Sequence, residues 1–205
     1  MAERRWGHGQ DREAPAHPKM NSKAALDREA GRVIETAFRP PRGADAGVLA
    51  SMLKRVYAPI VESDPKAWDP EQAAWEEFDR DVFQNLETIG ACTFLTWSGD
   101  QLVGFGSYDP RQRPRLGIIG HNCVLPEFQG RGFGSAQVRE ILLRFRSLGI
   151  GLARVSTGDH PFFAPAQRMY LACGFREIRR VPWPRDHHVK IIEYERDVEG
   201  KTALI

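Results

Sequence analysis

The sequence predicts an α/β domain, a mixed sheet with helices on its faces, and three observations carry that reading. Short runs with strand character and amphipathic helical runs follow one another in the order β-α-α-β-β-β-α-β-α-β-β. One predicted strand runs through a glycine-rich turn straight into a helix, in 116-LGIIGHNCVLPEFQGRGFGSAQVREILLRF-145. At 205 residues the chain is long enough for one domain with a sizeable core and short for two.

Residues 1–31 are polar, alanine-rich and aperiodic, which predicts a mobile tail with a short helix near Ala24 to Ala30 and a domain over 32–205. VIETAF, from Val33, reads as the first strand. The run DAGVLASMLKRVY follows, with Asp45 as its helix cap and Leu49, Met52, Leu53 and Val56 on one face. Asp69, Pro70 and Gln72 supply a cap, a first-turn proline and a reciprocal partner for a second helix. Its apolar stripe is Trp75, Phe78, Val82 and Leu86, and Glu76, Glu77, Asp79 and Asp81 are expected on its other faces.

ACTFLTW and LVGFGSY form a hairpin across SGDQ, with Gly104 and Gly106 marking a bulge or a close neighbour. LGIIGHNCVL is a strand stopped by Pro126. The next helix runs from Ser135 to Leu148 with Val138, Ile141, Leu142 and Phe145 inward, and Gly149 ends it. LARVST is a further strand and APAQRMYLACGF a short helix closed by Gly174. FREIRRV and HHVKIIEYE make the last antiparallel pair, and these C-terminal strands offer an edge for pairing across a homodimer.

Composition narrows the function. With 41% hydrophobic and 27% charged residues the chain is an ordinary globular one. No apolar run approaches the roughly 18 residues of a membrane span. The start, MAERRWGHGQDREAPAHPK, lacks the apolar centre of a secretory signal, so a cytoplasmic location is expected. Cys92, Cys123 and Cys173 are odd in number and sit among apolar residues without metal-ligand spacing, which predicts buried thiols. From Val61 to Gly90 nine acids face Lys66 and Arg80, and from Arg111 to Arg154 eight arginines face Glu127 and Glu140. No basic helix accompanies the second segment, so a compact phosphorylated ligand is expected in place of nucleic acid.

The turn 129-QGRGFG-134 is the most informative segment. A helix starting after a strand presents unpaired N–H groups and a positive dipole end, and bare glycines let a large anion reach them. Gln129 and Arg131 add side-chain donors. A P-loop would end in Gly-Lys-Ser/Thr, whereas Gly134 is followed by Ser135 and Ala136. A dinucleotide fingerprint would read G-x-G-x-x-G, and the spacing here is G-x-G-x-G. The pattern Q/R-x-x-G-x-G/A of an acyl-CoA pyrophosphate loop fits at every defined position.

VLPEFQGRGFGSAQVREIL resembles the acetyl-CoA-binding motif of the Gcn5-related N-acetyltransferase (GNAT) superfamily, and APAQRMYLACGF resembles that family's helix ending in tyrosine and Gly-Phe. The likeness in element order covers Val33 to Asp197. It implies a mostly antiparallel sheet splayed at its centre, with acetyl-CoA as co-substrate and no metal. The backbone of Cys123, Val124 and Leu125 would pair with the pantetheine arm, and an N–H near Val124 would receive the thioester oxygen. Gln129, Gly130, Arg131, Gly132, Phe133, Gly134 and Ser135 would hold the pyrophosphate. Tyr170 matches the tyrosine that gives a proton to the leaving thiolate; its alternative is a core aromatic spaced with Ala166 and Met169. Two features depart from the family. Phe163 stands where an asparagine often precedes Tyr170, with Asp159 as the candidate for that polar role, and LGIIG occupies the place of a glutamate base.

An alkylammonium must lose a proton before it attacks a thioester. His121 is the first candidate base, against the alternative of a buried histidine; Asp159 and His160 come next. His187 and His188 beside Asp186 read as a solvated loop, not a metal cluster. Cys123 carries no mark of an activated thiolate. Glu62 and Asp64, placed between the first two helices with Trp68 near, are candidates for selecting a cationic amine. The expected function is acetyl transfer to a primary amine of a small molecule or peptide. Its rivals are protein N-terminal or lysine acetylation, and an acyl-CoA-binding sensor without turnover.

Overall fold

The structure, a computed structural model, describes residues 36–184 and 186–198. The predicted tail and the start of the first strand at Val33 lie outside the described residues. The element order is β1 (Thr36–Arg39), α1 (Val48–Ser63), α2 (Pro65–Gln84), β2 (Thr93–Ser98), β3 (Gln101–Gln112), β4 (Leu116–Val124), α3 (Phe133–Ser147), β5 (Leu152–Gly158), α4 (Ala164–Ala172), β6 (Arg176–Trp183) and β7 (Asp186–Asp197). It matches the order read from the sequence.

The strands form one seven-stranded sheet in the order β1-β2-β3-β4-β5-β7-β6. Every neighbouring pair is antiparallel except β4 and β5. Alternation along the strands divides the core into two layers. Phe94, Tyr108 and Ile119 face α3 and α4, where Val138, Ile141, Phe145 and Tyr170 meet them. Leu95, Phe105 and Cys123 face α1 and α2, against Leu49, Leu53, Trp68 and Trp75. Two glycines of β3 are bare because of close neighbours. A Cβ on Gly104 would lie 2.1 Å from the Cys123 carbonyl oxygen, and one on Gly106 would lie 2.5 Å from the Phe94 ring.

The sheet is splayed at its centre. β4 and β5 pair only at Leu116–Leu152, Gly117–Ala153 and Ile118–Arg154; beyond these β4 follows β3 and β5 follows β7. The separation begins at a β-bulge. Gly106 pairs with Asn122 and Tyr108 with Ile119, so Gly120 and His121 together oppose Ser107. Ser107 Oγ accepts the His121 N–H at 2.8 Å, and a Cβ on Gly120 would stand 2.6 Å from that oxygen.

Three helix starts differ from the sequence expectation, those of α1, α2 and α3. The second helix begins at Pro65, with Asp64 accepting from the Ala67 N–H at 3.3 Å. Asp64-Pro65 and Asp69-Pro70 carry the same start signal, and the apolar face reaching back to Trp68 decides for the first. Pro70 therefore lies inside α2, and Asp69 takes a bond from Gln72 Nε2 at 3.1 Å on its surface. Glu62, expected in a loop, is in the last turn of α1.

The first helix is capped from a distance. Asp45 lies in a 3₁₀ turn and accepts the Arg42 N–H at 2.9 Å. α1 starts at Val48, and its free N–H groups are taken by Asp79 of α2: Gly47 at 2.8 Å, Leu49 at 2.9 Å and Ala50 at 3.2 Å. Asp79, expected away from the apolar stripe of α2, is thus buried. Its carboxylate faces the positive end of α1 and ties the two helices together. Asp79→Ala should cost about 2–3 kcal/mol, a fall in Tm of roughly 5–10 °C by thermal unfolding, while Asp45→Ala should cost under about 1 kcal/mol. Equal losses from the two would remove Asp79 as the cap.

Candidate active site

The slot between β4 and β5 exposes one edge of β4, and the phase of the ladder decides which groups face it. The Leu125 N–H donates to the Val103 carbonyl at 2.9 Å. Alternation then turns Cys123 and Leu125 toward β3, and Asn122 and Val124 toward the slot. Of the three residues first considered for the pantetheine arm, Val124 is the one that offers its N–H there. Its carbonyl accepts from Gln129 Nε2 at 3.0 Å. Asn122, which the sequence reading passed over, donates from Nδ2 to the Gly134 carbonyl at 3.2 Å. Its buried Oδ1 has no hydrogen-bond partner among the described residues.

Past Pro126 the chain makes a 3₁₀ turn and reaches the glycines. Gly130 and Gly132 have φ of 73° and 84°, a left-handed backbone that strains other residues. Gly132 is the cap of α3, so the helix starts at Phe133, two residues before the predicted Ser135. Ala136 makes the first bond back, to Gly132 at 2.9 Å, which leaves the N–H groups of Phe133, Gly134 and Ser135 ahead of it. Gly134 is bare for a different reason: a Cβ there would lie 2.8 Å from Met169 Sδ of α4. Phe133 is buried against Phe128 with ring centroids 6.3 Å apart. Arg131 lies over Phe128 at 5.4 Å and donates to the Glu127 carbonyl at 2.7 Å, beside the Arg55–Glu127 ion pair at 3.0 Å. The result is a cationic rim around bare N–H groups, the electrostatics an anion requires.

The titratable groups near β4 are buried or half-buried on both faces of the sheet, His121, Cys123 and Tyr57 toward α1 and α2 and Tyr170 toward α3. The His121 ring packs 4.7 Å from Phe78 and 5.9 Å from Phe105, and burial pulls its pKa down to about 4. Burial pushes the Cys123 thiol far up, which keeps it from acting as a thiolate. Tyr170 is 5% exposed, with Phe175 and Tyr194 at 5.9 and 6.1 Å, and its phenol is raised well above the ordinary value by burial, then by Cys173 and Tyr194. Tyr57 of α1 was not anticipated. Its phenol is raised by burial and further by the nearness of Cys123, Tyr170 and Glu71.

The remaining candidates are dispersed. Trp68 is buried, whereas Glu62 and Asp64 are exposed and Asp64 caps α2. Asp159 joins the end of β5 to β7, accepting the Lys190 N–H at 2.8 Å and donating its own N–H to Lys190 at 2.9 Å. His160 Nδ1 accepts the Phe162 N–H at 3.2 Å. The side chains of His187 and His188 lie outside the described residues. Among the described residues no group of three His, Cys, Asp or Glu is placed to hold a metal, and no helix is long and apolar enough to cross a membrane.

A splayed parallel pair followed by a positive-φ glycine turn and a helix start is the arrangement that the sequence resemblance implied. The pattern defining the Acetyltransferase (GNAT) family matches residues 58–175, more than half of the chain. The chain belongs to the GNAT family. It is 26% identical over 119 residues to the N-acetyltransferase YvbK of Bacillus subtilis, covering 58% of this chain and 71% of that one. Its fold is that of a GNAT-family protein from Desulfovibrio desulfuricans, with a TM-score of 0.61 at 23% identity over 80% of this chain and 99% of the other. YncA from Salmonella typhimurium, solved with acetyl-CoA, has a TM-score of 0.55 at 14% identity over 82% and 96%. An acetyl-CoA-dependent acetyltransferase is the enzyme class these findings establish.

Two expectations test the site. Gly132→Trp forces a side chain into a left-handed cap in front of the N–H groups, so acetyl-CoA affinity should fall at least tenfold by calorimetry with the circular dichroism spectrum retained; undiminished affinity would move the pyrophosphate elsewhere. His121 is depressed from about 6.5 unfolded to about 4 folded. It favours the fold above pH 6.5, and its contribution, at most about 3 kcal/mol, is lost as pH falls through 4. His121→Phe should flatten Tm between pH 6.5 and 4 relative to the wild type, and parallel curves would contradict the burial.

Proposed function

We propose that the enzyme transfers acetyl from acetyl-CoA directly to a primary amine of a small molecule or peptide while both are bound. The observation that carries this is the slot beside β4 opening onto the glycine turn, with Val124 and Asn122 on one wall and the α3 N-terminus at its end. Acetyl-CoA fits it: Gly130 and Gly132 free the backbone N–H groups from Gln129 to Ser135 for a pyrophosphate, and Arg131 adds charge at the rim.

In this reading the Val124 N–H supports the negative charge that gathers on the carbonyl oxygen as the amine nitrogen bonds to the acetyl carbon and the C–S bond breaks. Tyr170 gives its proton to the departing sulfur. The raised phenol stays protonated at working pH, as a proton donor must. His121 stays neutral and is the residue assigned to take the ammonium proton and pass it to water, and burial, which brings its conjugate acid down to about 4, makes it a weak base for the first of these steps. Trp68, with Glu62, Asp64 and Asp159 farther out, faces the acceptor. Cys123 takes no acetyl group, because its buried thiol stays protonated. A cytoplasmic location and a homodimer paired through the edge strand β6 complete the proposal.

Tyr170→Phe should lower kcat about a hundredfold or more while acetyl-CoA affinity holds, measured as thiol release with a panel of primary amines. Full turnover by the variant would take Tyr170 out of the mechanism. Tight coenzyme binding with no turnover of any acceptor by the wild type would identify a sensor.

A further inference from the structure

Asn122 interrupts the apolar side of β4 that meets α3. Ile119 packs in the core before the bulge and Val124 reaches Gly134 after it, and between them an asparagine brings a carboxamide under the first turn of α3. The two ends of that group differ. Nδ2 donates to the Gly134 carbonyl at 3.2 Å, and because a carbonyl can only accept, this bond fixes which end is nitrogen and which is oxygen. Oδ1 is buried and has no partner among the described residues. A Cβ on Gly134 would stand 3.7 Å from Oδ1, 3.9 Å from Val124 Cγ2 and 2.8 Å from Met169 Sδ, so the oxygen lies in the space shared by β4, α3 and α4. Valine and thioether side chains donate no hydrogen bond to it. Met169 is half-buried and unbranched, a cover that can turn aside. Trp97 Nε1 and Gln137 Oε1 are also buried without a partner, but Trp97 is on β2 and Gln137 is enclosed between α3 and the sheet, so neither meets the slot.

A buried carbonyl oxygen is costly to leave unpaired, and its position here gives it a partner. Oδ1 stands beside Gly134, whose N–H belongs to the set that faces the pyrophosphate, and beside Val124, whose N–H is assigned to the thioester oxygen. The pantetheine arm of coenzyme A joins those two ends and carries secondary amides whose N–H groups need acceptors. On this edge of β4 the Val124 carbonyl is already taken by Gln129 Nε2 at 3.0 Å. We propose that Asn122 Oδ1 accepts an amide N–H of the pantetheine arm, while Nδ2 holds the first turn of α3 over it. The inference rests on the acetyl-CoA reading of the slot and adds a side chain that recognises the arm and not the pyrophosphate.

The test is calorimetric binding of coenzyme A and of 3′-phosphoadenosine 5′-diphosphate, which has the nucleotide and pyrophosphate without the arm. The wild type should bind coenzyme A at least about tenfold more tightly. Asn122→Leu, similar in size and unable to hydrogen-bond, should weaken coenzyme A at least about fivefold more than the armless nucleotide. Equal losses would mean that Asn122 only holds the α3 N–H groups in place, and they overturn the proposal, as does undiminished affinity for both ligands. Asn122→Ala demands no new packing and should show the same selective loss, which keeps the inference open to refutation if the leucine variant does not fold. Equal binding of the two ligands by the wild type takes the arm out of the slot and overturns the acetyl-CoA reading together with the inference. A wild-type preference for coenzyme A with no selective loss in either variant overturns the inference alone.

Discussion

The separation of β4 from β5 is the constraint on which the rest of the structure depends. Three parallel pairs hold the strands together at one end, and the two-against-one bulge at Gly120, His121 and Ser107 changes the course of β4 beyond them. Because the bulge also shifts the ladder by one residue, it decides that Asn122 and Val124 face the slot and that Cys123 and Leu125 do not. Backbone groups that a closed sheet would have paired are left for a ligand. Their availability belongs to the fold and not to any one side chain, except for the missing one at Gly120.

Around the slot the protein divides its labour between faces. At the turn before α3 it is exposed, cationic and rich in free N–H groups, and Gly134 lets Met169 approach the first turn of α3. The α1 and α2 side is dry and aromatic. Burial moves His121, Cys123 and Tyr57 on that side, and Tyr170 on the α4 side, toward their uncharged forms. Among the described acids of α2 the fold buries Glu71 and Asp79. Asp79 fixes the start of α1 and with it the helix that carries Tyr57.

Much of this was legible in the chain. The order of elements, the mixed sheet and the glycine turn follow from local pattern, because hydrophobic period and turn chemistry act over a few residues. The start of α2 is not legible because two Asp-Pro signals compete within seven residues and only packing chooses between them. That ambiguity hid Glu71. Read from Asp69, the helix begins at its shoulder; read from Asp64, the acid falls inside the apolar stripe between two tryptophans. Asp79 was hidden likewise, since its partners are about thirty residues away in sequence.

The sequence by itself determined the donor side: QGRGFG specifies a bare helix start, and the resemblance it carries led to the family the chain proves to belong to. That information is local, since positive-φ glycines and an uncapped helix are properties of six consecutive residues. The tertiary structure decided which β4 groups face the slot, which acids are buried and which aromatic rings meet. These depend on strand register and on contacts between α1, α2, β4 and the segment after β5, and no short stretch of sequence contains them.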